Sequence, residues 1–154
     1  MKKAINERFG WLGSEILSSN IDLDNTNIPE SYCKFLQFSN GGTINNASIY
    51  TNSEGKIIHE TISRFMSYEE FVTNDYLEVK FEFFENDLEA LECIKALYKR
   101  YSVFCSTDSN ALFAFDKSPE SFGEVYYLDL DNFPFLGYKI FQNFDEFLDN
   151  ITIQ

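Results

Sequence analysis

Tyr101-Ser102-Val103-Phe104-Cys105-Ser106, Ala111-Leu112-Phe113-Ala114-Phe115-Asp116 and Glu124-Val125-Tyr126-Tyr127-Leu128-Asp129-Leu130 are three apolar runs, separated by Thr107-Asp108-Ser109-Asn110 and by Lys117 to Gly123. Short runs rich in aromatic and β-branched residues, bounded by Asp, Asn, Ser, Pro and Gly, have the pattern of strands joined by turns. Connections this short suit antiparallel neighbours, because a parallel crossover needs a dozen residues or more. The stretch therefore predicts an antiparallel meander. Downstream, Tyr138 to Phe141 adds a short strand. A last helix follows, capped by Asn143 with Glu146 three residues later, and striped by Phe144, Phe147, Leu148 and Ile151.

Upstream of the meander, Leu88, Leu91, Ile94 and Leu97 recur at helical spacing behind Asn86, a candidate cap. Leu77-Glu78-Val79-Lys80-Phe81-Glu82-Phe83 alternates apolar and charged residues and predicts a half-buried strand. Ser67 with Glu70 has the form of a capping box, opening a short helix through Phe71 and Val72. Residues 47–62 read as a hairpin turning at Asn52-Ser53-Glu54-Gly55. Ile28 to Phe38 predicts a helix with Pro29 at its first position, where a missing N–H costs nothing, and Glu30 at the positive end of the dipole. Tyr32, Phe35 and Leu36 form its buried face, and Asn40-Gly41-Gly42 stops it. Ile5, Phe9, Trp11, Leu12, Ile16 and Leu17 fit an amphipathic helix interrupted near Gly10 and Gly13, followed by a polar loop from Ser18 to Asn27. Helices flanking a central antiparallel sheet give the class α+β.

The 154 residues fit one domain spanning 1–154, long enough to fold without a metal or disulfide. An aromatic content of 18% argues against disorder. No run approaches a membrane span, and Lys2 and Lys3 are not followed by an apolar signal segment, so the cytoplasm is the expected compartment. Cys33, Cys93 and Cys105 lie far apart, without disulfide or metal spacing, and are expected to be reduced and buried.

The formal charge of −13 is unevenly placed: residues 1–64 carry six Lys or Arg against seven Asp or Glu, and residues 65–154 carry six against eighteen. Such a surface repels phosphate, which argues against nucleic acid and anionic membrane as partners and favours a basic protein. Solubility alone is the competing explanation of the charge.

Residues that would carry catalysis are scarce. His59 is the only histidine, no nucleophile-elbow motif is present, and one His with three scattered Cys does not compose a zinc site. Asn40-Gly41-Gly42 lacks the Lys and Ser/Thr of a phosphate loop. Asp129-Leu130-Asp131-Asn132 opens like a calcium loop but lacks its sixth-position Gly and twelfth-position Glu. The expectation is no enzyme, no cofactor and no metal.

Two stretches together resemble the SUKH superfamily. One runs from Ile28-Pro29-Glu30-Ser31-Tyr32 through Phe35-Leu36 to Asn40-Gly41-Gly42. The other runs from Val103 to Asp108, through Ala111 to Asp116 and Gly123 to Asp129, and ends at Asn143-Phe144-Asp145-Glu146-Phe147-Leu148. Ser109-Asn110 stands where the family often has glycine, and residues 75–85 match no part of the pattern. The resemblance implies a mixed fold without a catalytic centre. It also implies an immunity protein that occludes a cognate bacterial toxin, often one resembling a nuclease with a basic cleft. An acidic inhibitor would mimic that toxin's polyanion substrate, and steering would speed association. The expected contact residues are Asp108, Asp116, Glu120, Glu124, Asp129 and Asp131, joined by the exposed members of Tyr126, Tyr127, Phe133 and Phe135. Alternatives are a non-catalytic regulatory or scaffold protein of the same fold, or a small carboxylate-dependent hydrolase.

Overall fold

The computed structural model describes residues 27–153 and the backbone of residues 11–13. In chain order the elements are β1 (Trp11–Gly13), α1 (Glu30–Phe38), β2 (Gly42–Ile44), β3 (Ala47–Ser53), β4 (Lys56–Phe65), α2 (Tyr68–Thr73), α3 (Asp75–Glu78), α4 (Lys80–Phe83) and α5 (Leu88–Arg100). They continue with β5 (Tyr101–Thr107), β6 (Ala111–Asp116), β7 (Val125–Asp129), β8 (Leu136–Phe141), α6 (Phe144–Asp149) and β9 (Ile151–Ile153). All strand pairs among these residues are antiparallel, in the order β1-β2-β4-β5-β6-β7-β8, with β3 joining β4 to β9. This is the α+β class read from the sequence.

The meander forms as predicted, β5 to β8 pairing in sequence order. Every residue of β5 and β6 is buried, because both faces of the sheet are covered. On one face Phe104, Phe113 and Phe115 meet Tyr32 of α1 and Phe144 and Phe147 of α6, with ring centroids 5.0–5.8 Å apart in the tilted or edge-on pairs Tyr32–Phe104, Phe104–Phe147 and Phe113–Phe147. Each buried Phe contributes about 2–3 kcal/mol by burial, and edge-on pairs add to it. Tyr32 also donates from its hydroxyl to the Met66 carbonyl at 2.7 Å, satisfying the one polar atom it carries inside. The hairpin tip curls across the sheet. Ser53 donates to the Lys139 carbonyl at 2.6 Å, and Lys56 reaches Asp129 at 3.1 Å.

Several local expectations shift. Pro29 occupies the N-cap of α1, one residue before the first helical position. Asp87, not Asn86, caps α5, accepting from the Ala90 N–H at 3.2 Å. That start leaves Leu88 exposed and makes Ala90, Ile94 and Leu97 the buried stripe. Ile151 is buried in β9, beyond the end of α6. Cys105 is buried, but Cys33 and Cys93 are half-buried, and all three are free thiols. The expected N-terminal helix is contradicted at Trp11–Gly13, whose backbone pairs with β2; its remainder and most of the Ser18–Asn27 loop lie outside the described residues.

The largest correction falls on Leu77–Phe83, which is helical where alternation predicts a strand. Leu77, Phe81 and Phe84 also stand at i, i+4 and i+7, so the same residues satisfy a helical period. Asn74 settles the competition. Its αL backbone (φ 56°, ψ 40°) ends α2 and turns directly into α3. Its side chain donates to the Tyr101 carbonyl at 2.7 Å and accepts from the Val103 N–H at 3.0 Å. Leu77 is thereby driven into the core.

Candidate functional site

The six carboxylates expected to form one surface divide between the two ends of the meander. Asp108, Asp129 and Asp131 lie at the β5–β6 and β7–β8 end, and Asp116, Glu120 and Glu124 at the β6–β7 end. Strand β6 separates them by roughly 17 Å, from its length and the usual rise per residue.

Two of the six are internal. Asp116 has no exposed surface; it accepts from the Ser118 N–H and hydroxyl at 2.8 and 2.7 Å and from Arg100 at 3.3 Å. Asp129 is buried beside Lys56 and accepts from the Asp131 N–H at 3.0 Å. Burial works against its charge, yet the bonds from Asp131, Lys56 and Asn132 outweigh that and hold its pKa below the usual carboxylate value. Both carboxylates close turns on the backbone two residues ahead, and the Asp-x-Ser and Asp-x-Asp spacings were the sequence signal for it. A partner cannot reach either without breaking these ties.

Of the remaining four, Glu124 is half-buried and pairs with Lys139 at 3.0 Å. Asp131 is exposed and accepts from Asn110 at 2.9 Å. Asp108 and Glu120 are exposed. Among the aromatics, Tyr127 and Phe135 are buried, Tyr126 is half-buried against Tyr101, and Phe133 alone is exposed. Tyr127 donates to Glu60 at 2.6 Å, and burial together with that carboxylate pushes its phenol well above the ordinary value.

His59 is exposed on β4, edge-on to Tyr50 across the hairpin at 5.6 Å. No group of three or more His, Cys, Asp or Glu among the described residues is placed to hold a metal. No helix among them is long and apolar enough to cross a membrane.

A second acidic region escaped the sequence reading. Asp75, Glu78, Glu82, Glu85, Asp87 and Glu89 are all exposed along α3, α4 and the start of α5. The strand assignment hid it, because alternation would have put the intervening apolar residues inside.

The chain matches the SMI1 / KNR4 family (SUKH-1) over residues 22–150 and belongs to that family. The match spans α1, the helical segment, the meander and α6. Members of the family are generally non-catalytic immunity proteins that bind toxin partners. No curated protein and no solved structure matches the chain.

Proposed function

We propose that this protein is an immunity protein of the cytoplasm that binds and neutralises a cognate bacterial toxin domain of basic character, through an acidic surface and without catalysis. Family membership over residues 22–150 carries this reading. The charge of −13 supports it: a basic toxin, such as one that cleaves nucleic acid, would be attracted from a distance. Of the carboxylates at the ends of the meander, Asp108, Glu120 and Asp131 are the exposed ones and belong to that surface; Asp116 and Asp129 serve the fold.

Co-expression with the toxin gene beside this one tests the proposal. Cells carrying both genes should grow, while cells carrying the toxin with an empty vector should not. Equal killing in the two strains would overturn it.

A further inference from the structure

The outer face of the α3–α4 segment displays what folding does not use. Leu77 is fully buried, Phe81 packs on Tyr98 and Phe84 on Phe135, each ring pair 5.3 Å apart. The same helical phase turns Val79 and Phe83 outward, 63% and 75% exposed. Phe83 is backed by half-buried Phe84 at 4.8 Å, which rests on the buried Phe135, and Phe135 in turn backs the exposed Phe133 at 5.6 Å in the β7–β8 loop. Singly exposed apolar residues are ordinary on a protein surface, but Val79 and Phe83, four residues apart on one helical face, are exposed together and offer a place where something else can pack.

The setting of this pair is anionic. Lys80 is the only basic residue between positions 75 and 89, against six carboxylates. None of those six forms an ion pair among the described residues. Asp75, Glu78 and Glu82, with Val79 and Phe81, line a depression of about 500 Å³. Three carboxylates and two apolar side chains thus line it together, a combination that suits the cationic head and aliphatic stem of Lys or Arg.

We propose that this face is the docking surface for a basic protein partner, which covers Val79 and Phe83 and sets Lys or Arg side chains against Asp75, Glu78 and Glu82. The inference rests on the toxin-binding reading and adds where, and by what chemistry, the toxin is held. A second copy of the chain is the wrong occupant, since pairing would bring two such acidic faces together on chains of charge −13.

The test uses the full chain and the toxin domain encoded beside it, inactivated in its own catalytic centre, with affinity read by calorimetry at low and high salt. Phe83→Ser should weaken binding about tenfold or more, as expected of an exposed aromatic anchor. The double variant Glu78→Gln, Glu82→Gln should weaken it about tenfold at low salt and reduce the salt dependence. The control double variant Glu54→Gln, Asp145→Asn, which removes the same charge from exposed positions elsewhere, should stay within about threefold of wild type. All three should melt with wild type, because every altered side chain is exposed. Tight wild-type binding that both helix variants retain within threefold would overturn the docking surface and leave the toxin-binding reading standing. A wild type that does not bind the toxin would overturn both. A wild-type dimer dissolved by Phe83→Ser would also overturn the proposal, assigning the face to self-association.

Discussion

Replacing Asn74 with alanine strikes the joint that sets the α3–α4 segment against the sheet. Asn74 is 3% exposed and holds two backbone groups at the start of β5, the Tyr101 carbonyl at 2.7 Å and the Val103 N–H at 3.0 Å. Alanine removes both partners at once. A buried backbone group left without its partner costs about 1–3 kcal/mol, and two are affected. Alanine also takes the αL conformation at φ 56° less readily than asparagine, adding about 1 kcal/mol. The expected loss is about 3–7 kcal/mol, a large part of the roughly 5–15 kcal/mol that holds an ordinary domain together. For a chain of this length that is a fall in Tm of roughly 10–20 °C. Asn74→Gly separates the two causes: glycine accepts the backbone angle but restores neither hydrogen bond, so it should recover only about 1 kcal/mol. Urea denaturation of the three proteins gives the values, and hydrogen exchange should show residues 75–84 opening more readily in both variants. If both variants fall within about 1 kcal/mol of wild type, the polar bridge is not what fixes this joint.

Gly41 and Asp129 give two further expectations. Gly41 sits at φ +79°, and a Cβ there would stand 2.7 Å from the Phe65 carbonyl oxygen and 2.8 Å from the Ser67 nitrogen, both backbone; Gly41→Ala should therefore cost about 3 kcal/mol in urea denaturation, and a loss under 1 kcal/mol would contradict the close approach. The lowered pKa of Asp129 contributes stability that is present above its ordinary value of 3.8 and is lost as pH falls through the lower folded value. The advantage of wild type over Asp129→Asn, followed by denaturation from pH 7 to pH 3, should accordingly shrink below about pH 4; a constant gap across that range would show that its charge does not couple to folding.

The elements legible in the sequence are those where local chemistry and tertiary packing agree. The Ser67–Glu70 box forms as written: Ser67 accepts from the Glu70 N–H at 3.3 Å, and the Glu70 carboxylate accepts from the Ser67 N–H at 3.2 Å. Asn143 likewise caps α6 by accepting from Glu146 at 2.8 Å. Glu54 and Gly55 both take positive φ in the predicted hairpin turn. The short β9 was not legible, because Ile151-Thr152-Ile153 earns its pairing from β3, a hundred residues away in sequence. Acidic side chains are the other blind spot. Asp116 inside the fold and Asp108 at its surface read alike as charges, and only the turn spacing after Asp116 separates them.

Residues 77–83 are the informative failure. A strand would have faced Leu77, Val79, Phe81 and Phe83 the same way, and all four could have been buried together. The helix satisfies Leu77, half-buries Phe81, and strands Val79 and Phe83 in water, at a cost of about 25 cal/mol for each Å² of apolar surface left uncovered. Natural sequences tend to be consistent from one level to the next, and departures from that consistency gather at functional sites. Here the departure coincides with a run of carboxylates that form no ion pair among the described residues and with the exposed pair Val79 and Phe83. That combination is what the proposed docking of a cationic partner would select for, and the packing of the helix alone gives no reason to expose Val79 and Phe83.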